Sequence, residues 1–476
     1  ITYNGEIYNF NEIKKELKNK FEFTTLTDTE VILNSFEAWG IEAIKKFNGM
    51  FAFAIYDNEM KEFFLVRDRY GIKPLYYEIS HNDIKFASEI KSITKVRNKK
   101  NVIDKETLIE YFTFQNIFSN KNIIKNIRLL KPGSYIRITN NNINEVNYWD
   151  FNFRNDLKTK SNLDYQKEFL FLFKQSIKRQ SISDVPVSSH LSSGLDSTAI
   201  TYFLKEEVGN INTYTCGFDT KDVFGLEAEF DESPISKEFA THIGTNHNEY
   251  IISSGDMEAS LDDLSKIIEE PRLGQSYPNY FLANLVSKKN KVVLTGVGGD
   301  ELFAGYPWRY FYKEGLLNYG EYIEAYYKYW QRLLPNKELS KLLSPIKSDF
   351  DNFRTIDIFK QILDKSNIEL NSKDDFINNS LYFEAKTFLP GLLTIEDKIN
   401  MAFGVENRVP FLDKDLVEFA ISCPINQKLK YESEDIIEIN ENIFNKKEKS
   451  TPERTTSKSK NKGPSTRASN TEKGSQ

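Results

Sequence analysis

Residues 191–198 read LSSGLDST, and no other stretch restricts the fold as strongly. Before them lies an apolar run of strand length, residues 185–191 (VPVSSHL), and after them residues 198–208 (TAITYFLKEEV) carry a helical pattern. A strand that passes through a short Ser/Gly loop into a helix points backbone N–H groups and a helix N-terminus at one spot, a natural place for an anion. Phosphate fits there: Gly194 lets the backbone come close, Ser192 and Ser197 add hydroxyl donors, and Asp196 suits a magnesium ion that accompanies the phosphate. The same texture runs on either side. Helical patterns at 165–179 and 198–208 alternate with short apolar runs at 185–191, 213–218 and 291–295, and this predicts a parallel sheet with helices on both faces.

Alone, such a loop would serve equally well as a turn capping a helix. A second loop argues against that. The run 291–295 (KVVLT) enters Gly296-Val297-Gly298-Gly299-Asp300-Glu301, a glycine loop at the end of a neighbouring strand, where open α/β sheets bind ligands. With one Asp from each loop, Asp196 and Asp300 would share a magnesium on a pyrophosphate. The chain has no G-x-x-x-x-G-K-[ST] string, so the cradle is not that of ordinary ATPases and kinases.

The section before residue 153 has a different pattern. Residues 51–56 (FAFAIY) and 63–66 (FFLV) are strand-length runs flanking the turn Asp57-Asn58-Glu59, and residues 29–39 place Val31, Ile32, Phe36 and Trp39 at helical spacing. This half is a strand-rich α+β domain. With 476 residues the chain accommodates two such domains, at 1–153 and 161–440. Residues 446–476 hold no Val, Ile, Leu, Met, Phe, Tyr or Trp and are expected to be a disordered polar tail.

Several classes are set aside by composition. A net charge of −6 with scattered basic residues gives no footprint for nucleic acid. Cys216 and Cys423 are too few for a disulfide framework or a four-ligand zinc site, and a reducing, cytoplasmic setting is the simplest expectation. No apolar run reaches the roughly 20 residues that cross a bilayer. Residues 1–5 (ITYNG) lack the features of a signal peptide and read as the middle of a domain.

The loop 192–197 resembles the SGGxDS signature of the ATP pyrophosphatases. Together with residues 295–306 (TGVGGDELFAGY) and 406–413 (ENRVPFLD), it is similar to the synthetase domain of the glutamine-hydrolysing asparagine synthetase family. The N-terminal half resembles that family's class II glutaminase domain in residues 3–9 (YNGEIYN), 27–30 (TDTE), 67–77 (RDRYGIKPLYY) and 86–90 (FASEI). The resemblance implies an αββα sandwich of the N-terminal-nucleophile type, here without its opening strands, followed by the α/β phosphate-loop domain.

It further implies ATP and Mg2+ as cofactors, with a carboxylate amidated through an acyl-adenylate by nitrogen from glutamine or ammonia. Leu191, Ser192, Ser193, Gly194, Asp196, Ser197 and Gly296 would bind the nucleotide and pyrophosphate, and Asp196 and Asp300 the metal. Asn4 and Gly5 would form an oxyanion hole, and Glu6 and Asp28 would hold the amino group of glutamine. Val297, Asp397, Glu406 and Arg408 would line the acceptor pocket, a buried structural network of Arg408 with carboxylates being the alternative.

Four departures from the family pattern bear on these expectations. Ser193 replaces the first Gly of SGGxDS, and Val297 stands where asparagine-forming members carry a Glu. The catalytic N-terminal Cys of the glutaminase is absent from this chain, which reads as a truncation, and the match to the family fades after Lys428. The resemblance makes L-aspartate the default acceptor, and these departures bring in a sugar uronic acid of polysaccharide assembly, or an inactive remnant, as alternatives. The partners expected are small-molecule substrates, neither nucleic acid nor membrane, with a homodimer left open. His247 is expected to be structural, and Tyr306-Pro307-Trp308 to belong to the core.

Overall fold

Alternation of side chains along the strands builds both layers of the N-terminal half. In the computed structural model, which describes residues 1–80, 83–140, 142–154, 160–219, 231–272, 276–310, 318–334, 336–345, 353–366 and 368–429, the strands β1 (Thr2–Ile7), β2 (Gly49–Asp57), β3 (Glu62–Arg67), β4 (Tyr76–Ser80), β5 (Asp83–Ala87), β6 (Arg128–Leu129), β7 (Ser134–Thr139) and β8 (Asn142–Asn147) form two antiparallel sheets. Their orders are β1-β2-β3-β7-β8 and β5-β4-β6. Phe51, Phe53 and Ile55 of β2, with Phe64 and Val66 of β3, pack on Ile13, Leu17, Val31 and Ile32 of the helices Phe10–Leu17 and Asp28–Trp39. Their neighbours Ala52, Ala54 and Leu65 face the other way, onto Leu75 and Tyr77 at the second sheet. Tyr76, one residue from Tyr77, turns outward again to Ile90 and Ile93 of the helix Ile90–Val96. The period of two thus yields helix, sheet, sheet, helix, the αββα arrangement expected.

The other half is built on a parallel sheet of β9 (Val187–His190), β10 (Asn212–Phe218), β11 (Asn246–Ile252), β12 (Val292–Leu294) and β13 (Glu406–Arg408), ordered β11-β10-β9-β12-β13. The strand β12 is buried on both faces. Val292 and Leu294 join Val187, Ile200 and Leu204 on one side, and Val293 joins Tyr214, Val286 and Val405 on the other. From β9 the chain moves outward through β10 to β11, then returns to lay β12 on the opposite flank of β9. The order therefore reverses between β9 and β12, and the loops that follow these two strands are adjacent at the crevice where such sheets bind ligands.

A 30-residue helix, Lys373–Ala402, joins the halves. Ser372 caps it, its hydroxyl accepting from the Asp375 N–H while the Asp375 carboxylate accepts from the Ser372 N–H. Buried residues lie on all its faces because it touches both halves: Lys386 pairs with Asp150 at 2.7 Å, the Thr387 carbonyl accepts from Asn116, and Asp397 pairs with Lys73 at 2.7 Å. Residues 1 to 430 form one compact unit.

Two expectations are corrected. The helix after the phosphate loop starts at Leu195, three residues before residue 198, because Gly194 in extended conformation serves as its N-cap; Leu195, Asp196 and Ser197 form its first turn. Trp308 is 37 % exposed, while Tyr306 packs by its edge against Phe388, so the pair does not lie together in the core. His247 has its Nδ1 3.0 Å from the Thr213 hydroxyl on the neighbouring strand. The segment 446–476 lies outside the described residues.

Candidate active site at the crossing of two loops

The loop after β9 is held by its own hydroxyls. Ser197 Oγ lies 2.8 Å from Ser192 Oγ and accepts from the Ser192 N–H at 3.0 Å, and Ser192 Oγ accepts from the Gly194 N–H at 3.1 Å. The backbone of Leu191 is fixed on both sides, its N–H donating to the Tyr214 carbonyl and its carbonyl accepting from Thr215 Oγ1. Ser193 does not adopt a positive φ, so the position does not require glycine there. Its N–H points at an anion, donating to the Glu232 carboxylate at 3.1 Å.

The glycines of the second loop are required by its closeness to the first. A Cβ at Gly299 would overlap the Asp196 carboxylate, and one at Gly296 would press on Asp196 Cβ and the Ser197 nitrogen. Gly298 has φ +99°, the left-handed region that favours glycine. The two loops thus bring Asp196 and Asp300 together, with the Asp300 N–H donating to Asp196. Burial pushes the Asp196 carboxyl up to about 7, and the neighbouring Asp300 and Glu301 push the same way. Glu301 is buried and committed, accepting from the Gly298 N–H at 3.1 Å and from the Tyr306 hydroxyl at 3.0 Å.

Two adjacent carboxylates whose repulsion is uncompensated fit a divalent cation. Among the described residues no group of three or more His, Cys, Asp or Glu converges to hold a metal. The protein therefore offers two carboxylates, the donor set from which magnesium is bound when phosphates and water complete its shell.

The expected acceptor-pocket residues fall in different places. Val297 is half-buried in the second loop. Asp397 turns to the N-terminal half and meets Lys73, whose ammonium burial alone would neutralise; the Asp397 carboxylate more than reverses this and raises its pKa. Arg408 donates Nε to Glu406 at 2.7 Å and a terminal nitrogen to the carbonyls of Gln180 and Ile182, with its guanidinium 5.6 Å from the centre of the Tyr8 ring. Asp397, Glu406 and Arg408 thus lie along the seam between the halves, and the network alternative describes them better than an open pocket does.

One carboxyl beside the second loop has no counterpart in the sequence reading. Glu396 accepts from Asn407 Nδ2 at 2.6 Å and from Thr295 Oγ1 at 3.3 Å, and burial pushes it up to about 7. It precedes Asp397 on the same helix, and the step of about 100° per residue sends the two carboxylates to different neighbours.

In the N-terminal half, Asn4, Gly5 and Glu6 follow one another on β1, and Asp28 opens the helix beside it. Asp28 Oδ2 accepts from the Tyr3 hydroxyl at 2.6 Å and the Ile7 N–H at 2.9 Å, and Asn4 Nδ2 donates to Ser88 Oγ at 3.2 Å. Gly5 lies against the Met50 carbonyl, where no Cβ fits. Burial, then Glu406 and Asp28, push the Glu6 carboxyl up to about 7. The conspicuous string 67–77 is scaffold. Asp68 accepts from the N–H groups of Phe51, Tyr70, Gly71, Ile72 and Lys73, and Arg67 donates to the carbonyls of Gly71, Lys73 and Leu130.

Comparison with known proteins agrees with this division. A family model described as asparagine synthase matches residues 168–439, and one described as a glutamine amidotransferase domain matches residues 1–149. The chain is 29 % identical over 445 residues to asparagine synthetase [glutamine-hydrolyzing] 3 of Bacillus subtilis, covering 90 % of this chain and 70 % of that protein. It is 31 % identical over 462 residues to asparagine synthetase [glutamine-hydrolyzing] 1 of the same organism, covering 90 % and 71 %. It is 35 % identical over 314 residues to putative asparagine synthetase [glutamine-hydrolyzing] 2 of Methanocaldococcus jannaschii, covering 64 % of this chain and 58 % of that protein. With a match across more than half of its length, over the half that carries the crossed loops, the chain belongs to the asparagine synthase family.

Proposed function

We propose that this chain amidates a carboxylate in two steps at the crossing of the β9 and β12 loops, with L-aspartate as the default acceptor and glutamine or ammonia as nitrogen source. The reading assigns residues 1–153 to the glutaminase and 161–440 to the synthetase. A carboxylate resists ammonia because its charge repels nucleophiles and oxide is a poor leaving group. Transfer to the α-phosphorus of ATP creates a good leaving group and expels pyrophosphate. In this reading Ser192, Ser193, Gly194 and Ser197 cradle the pyrophosphate with N–H and hydroxyl donors, and Leu191 and Gly296 border the nucleotide. Asp196 and Asp300 would hold Mg2+, which neutralises phosphate charge when bound.

Asn4 and Gly5 are assigned to the oxyanion site and Glu6 and Asp28 to the glutamine amino group, with Val297, Asp397, Glu406 and Arg408 as residues bordering the acceptor side and the seam. No helix among the described residues is long and apolar enough to cross a membrane, and a cytoplasmic enzyme acting on small molecules is the setting proposed. The observation that carries the reading is the convergence of Asp196 and Asp300 at the reversal of strand order. Carboxylate-dependent exchange of pyrophosphate into ATP tests it. The wild-type chain supports exchange with magnesium, and Asp196→Asn or Asp300→Asn lowers the rate by about 100-fold or more. Exchange that survives both substitutions would refute the assignment.

Val297 favours a second acceptor class. An apolar residue at this point of the loop offers no charge to an amino-acid ammonium, so sugar acids are assayed beside aspartate, and exchange with glucuronate but not aspartate would select the former.

A further inference from the structure

Amidation of an acyl-adenylate needs a base. When ammonia attacks, its nitrogen lone pair forms the C–N bond and the nitrogen becomes cationic. One N–H proton must then leave before the intermediate collapses, breaking the bond between the acyl carbon and the phosphate oxygen, so that AMP departs with that electron pair. Beside the crossed loops the carboxylates are nearly all committed. Asp196 and Asp300 are the pair assigned to the cation, and Glu301 is held by Gly298 and Tyr306. Val297 brings no acid or base to the loop.

Glu396 is the exception. Its Oε2 is anchored by Thr295, the residue through which β12 enters the second loop, and by Asn407 in β13, while its Oε1 has no hydrogen-bond partner among the described residues. Glu396 is half-buried, so it retains access, whereas Asn407 is 5 % exposed and its Oδ1 is buried without a partner among the described residues. A free carboxylate oxygen and an unpaired amide oxygen on two side chains bonded to each other are acceptors awaiting a group rich in N–H.

We propose that Glu396 is the general base of the amidation step, taking the proton from the attacking nitrogen while Asn407 Oδ1 accepts a second N–H. This rests on the two-step reading above. The charge state suits the task. Burial, the largest effect, and the charge of Glu301 raise the carboxyl while the Asn407 and Thr295 donors lower it, for a net of about 7, which leaves it able to accept a proton near neutrality. Its chain neighbours Asp397 and Lys398 are engaged elsewhere, with Lys73 and with Glu269.

The experiment separates the two half-reactions. Glu396→Gln is compared with wild type in pyrophosphate exchange and in AMP formation with ammonium chloride, using L-aspartate or glucuronate, whichever supports exchange, with rates expressed per unprotonated ammonia. Expected is exchange within about 3-fold of wild type and AMP formation lowered by about 100-fold or more. In wild type AMP formation rises with pH through about 7 and levels above it, since the base must be deprotonated, and Glu396→Gln abolishes this limb. Equal loss of both half-reactions, or AMP formation within 3-fold of wild type, would overturn the proposal. If Glu396→Gln does not fold, Glu396→Asp serves instead: a slower AMP step that keeps its acidic limb supports the base, and an unchanged rate overturns it. No exchange by wild type with either carboxylate would overturn the two-step reading, and this base with it.

Discussion

The crossed loops and the string 67–77 hold comparable numbers of charged groups and treat them in opposite ways. Around Arg67, Asp68 and Lys73 each charge is answered from within the chain: Asp68 by five backbone N–H groups, Arg67 by three carbonyls, and Lys73 by Asp397. Around Asp196 and Asp300 no basic side chain among the described residues acts on the Asp196 carboxylate, and burial, reinforced by Asp300 and Glu301, pushes Asp196 up to about 7. Both strings stand out equally in the sequence. The difference teaches that unanswered charge is the feature to look for in a candidate ligand site, whereas charges answered from within the chain, as at Asp68, build a turn.

The contrast breaks most readily at Asp196. If burial beside Asp300 and Glu301 is what raises this carboxyl, Asp196→Asn has opposite effects on chemistry and stability. Pyrophosphate exchange falls by about 100-fold or more, yet the metal-free protein melts higher at pH 8. The sign follows from linkage. The native state holds the Asp196 proton more tightly than the unfolded chain does, so stability declines as pH climbs from the ordinary carboxylate range toward 7, and the amide, which never ionises, escapes that decline. Magnesium should narrow the gap in melting temperature. A lower melting temperature for Asp196→Asn at pH 8 without metal would mean that the pair is answered after all.

At the seam the expectation is reversed. Lys73→Met leaves Asp397 buried at 5 % exposure without its partner and should cost about 3–5 kcal/mol in denaturant unfolding, whereas Lys73→Met with Asp397→Leu recovers most of the loss. A cost below about 1 kcal/mol for Lys73→Met would show the pair to be dispensable, and the line drawn between scaffold and site would then fail at the seam.

How much of this the sequence could reveal depended on range. Period-two alternation in 51–56 identifies β2 and both layers it separates, because each residue's face depends only on its neighbours along the strand. The phosphate loop was legible for the same reason. Its helix begins earlier than the apolar pattern suggests, since the first turn, Leu195-Asp196-Ser197, adds no apolar residue to the core, Leu195 being 82 % exposed. Glu396 gave no signal: a mid-helix Glu has no local signature, and what singles it out, Thr295 and Asn407, comes from other strands. Asp397 attracted attention instead, although the helical rotation carries it to Lys73.

The glycines of the second loop offer a sharper contrast with Ser193. Gly299→Ala places a methyl group into the Asp196 carboxylate and should lower exchange at least 10-fold, with a stability loss of about 1–3 kcal/mol. Ser193→Gly, at a backbone position that any residue adopts, should change stability by less than about 1 kcal/mol and leave exchange intact. Equal effects of the two changes would mean that the approach of the loops does not limit the site.

The smallest expected effect concerns the one charge that does answer the phosphate loop. The exposed Glu232 carboxylate accepts from the Ser193 N–H, the donor assigned to the pyrophosphate in the proposed function. On that reading an incoming phosphate displaces this carboxylate and meets its negative charge. Glu232→Gln removes the charge and weakens the contact, so the KM for ATP in the exchange assay should fall with kcat unchanged. For an exposed pair the contribution is about 1 kcal/mol at most, which corresponds to about 5-fold. Added salt should shrink the difference between the two proteins, because screening acts on the wild-type carboxylate alone. A KM that rises in Glu232→Gln would instead make Glu232 part of the frame that orders the loop, placing it with Asp68 on the answered side of the comparison.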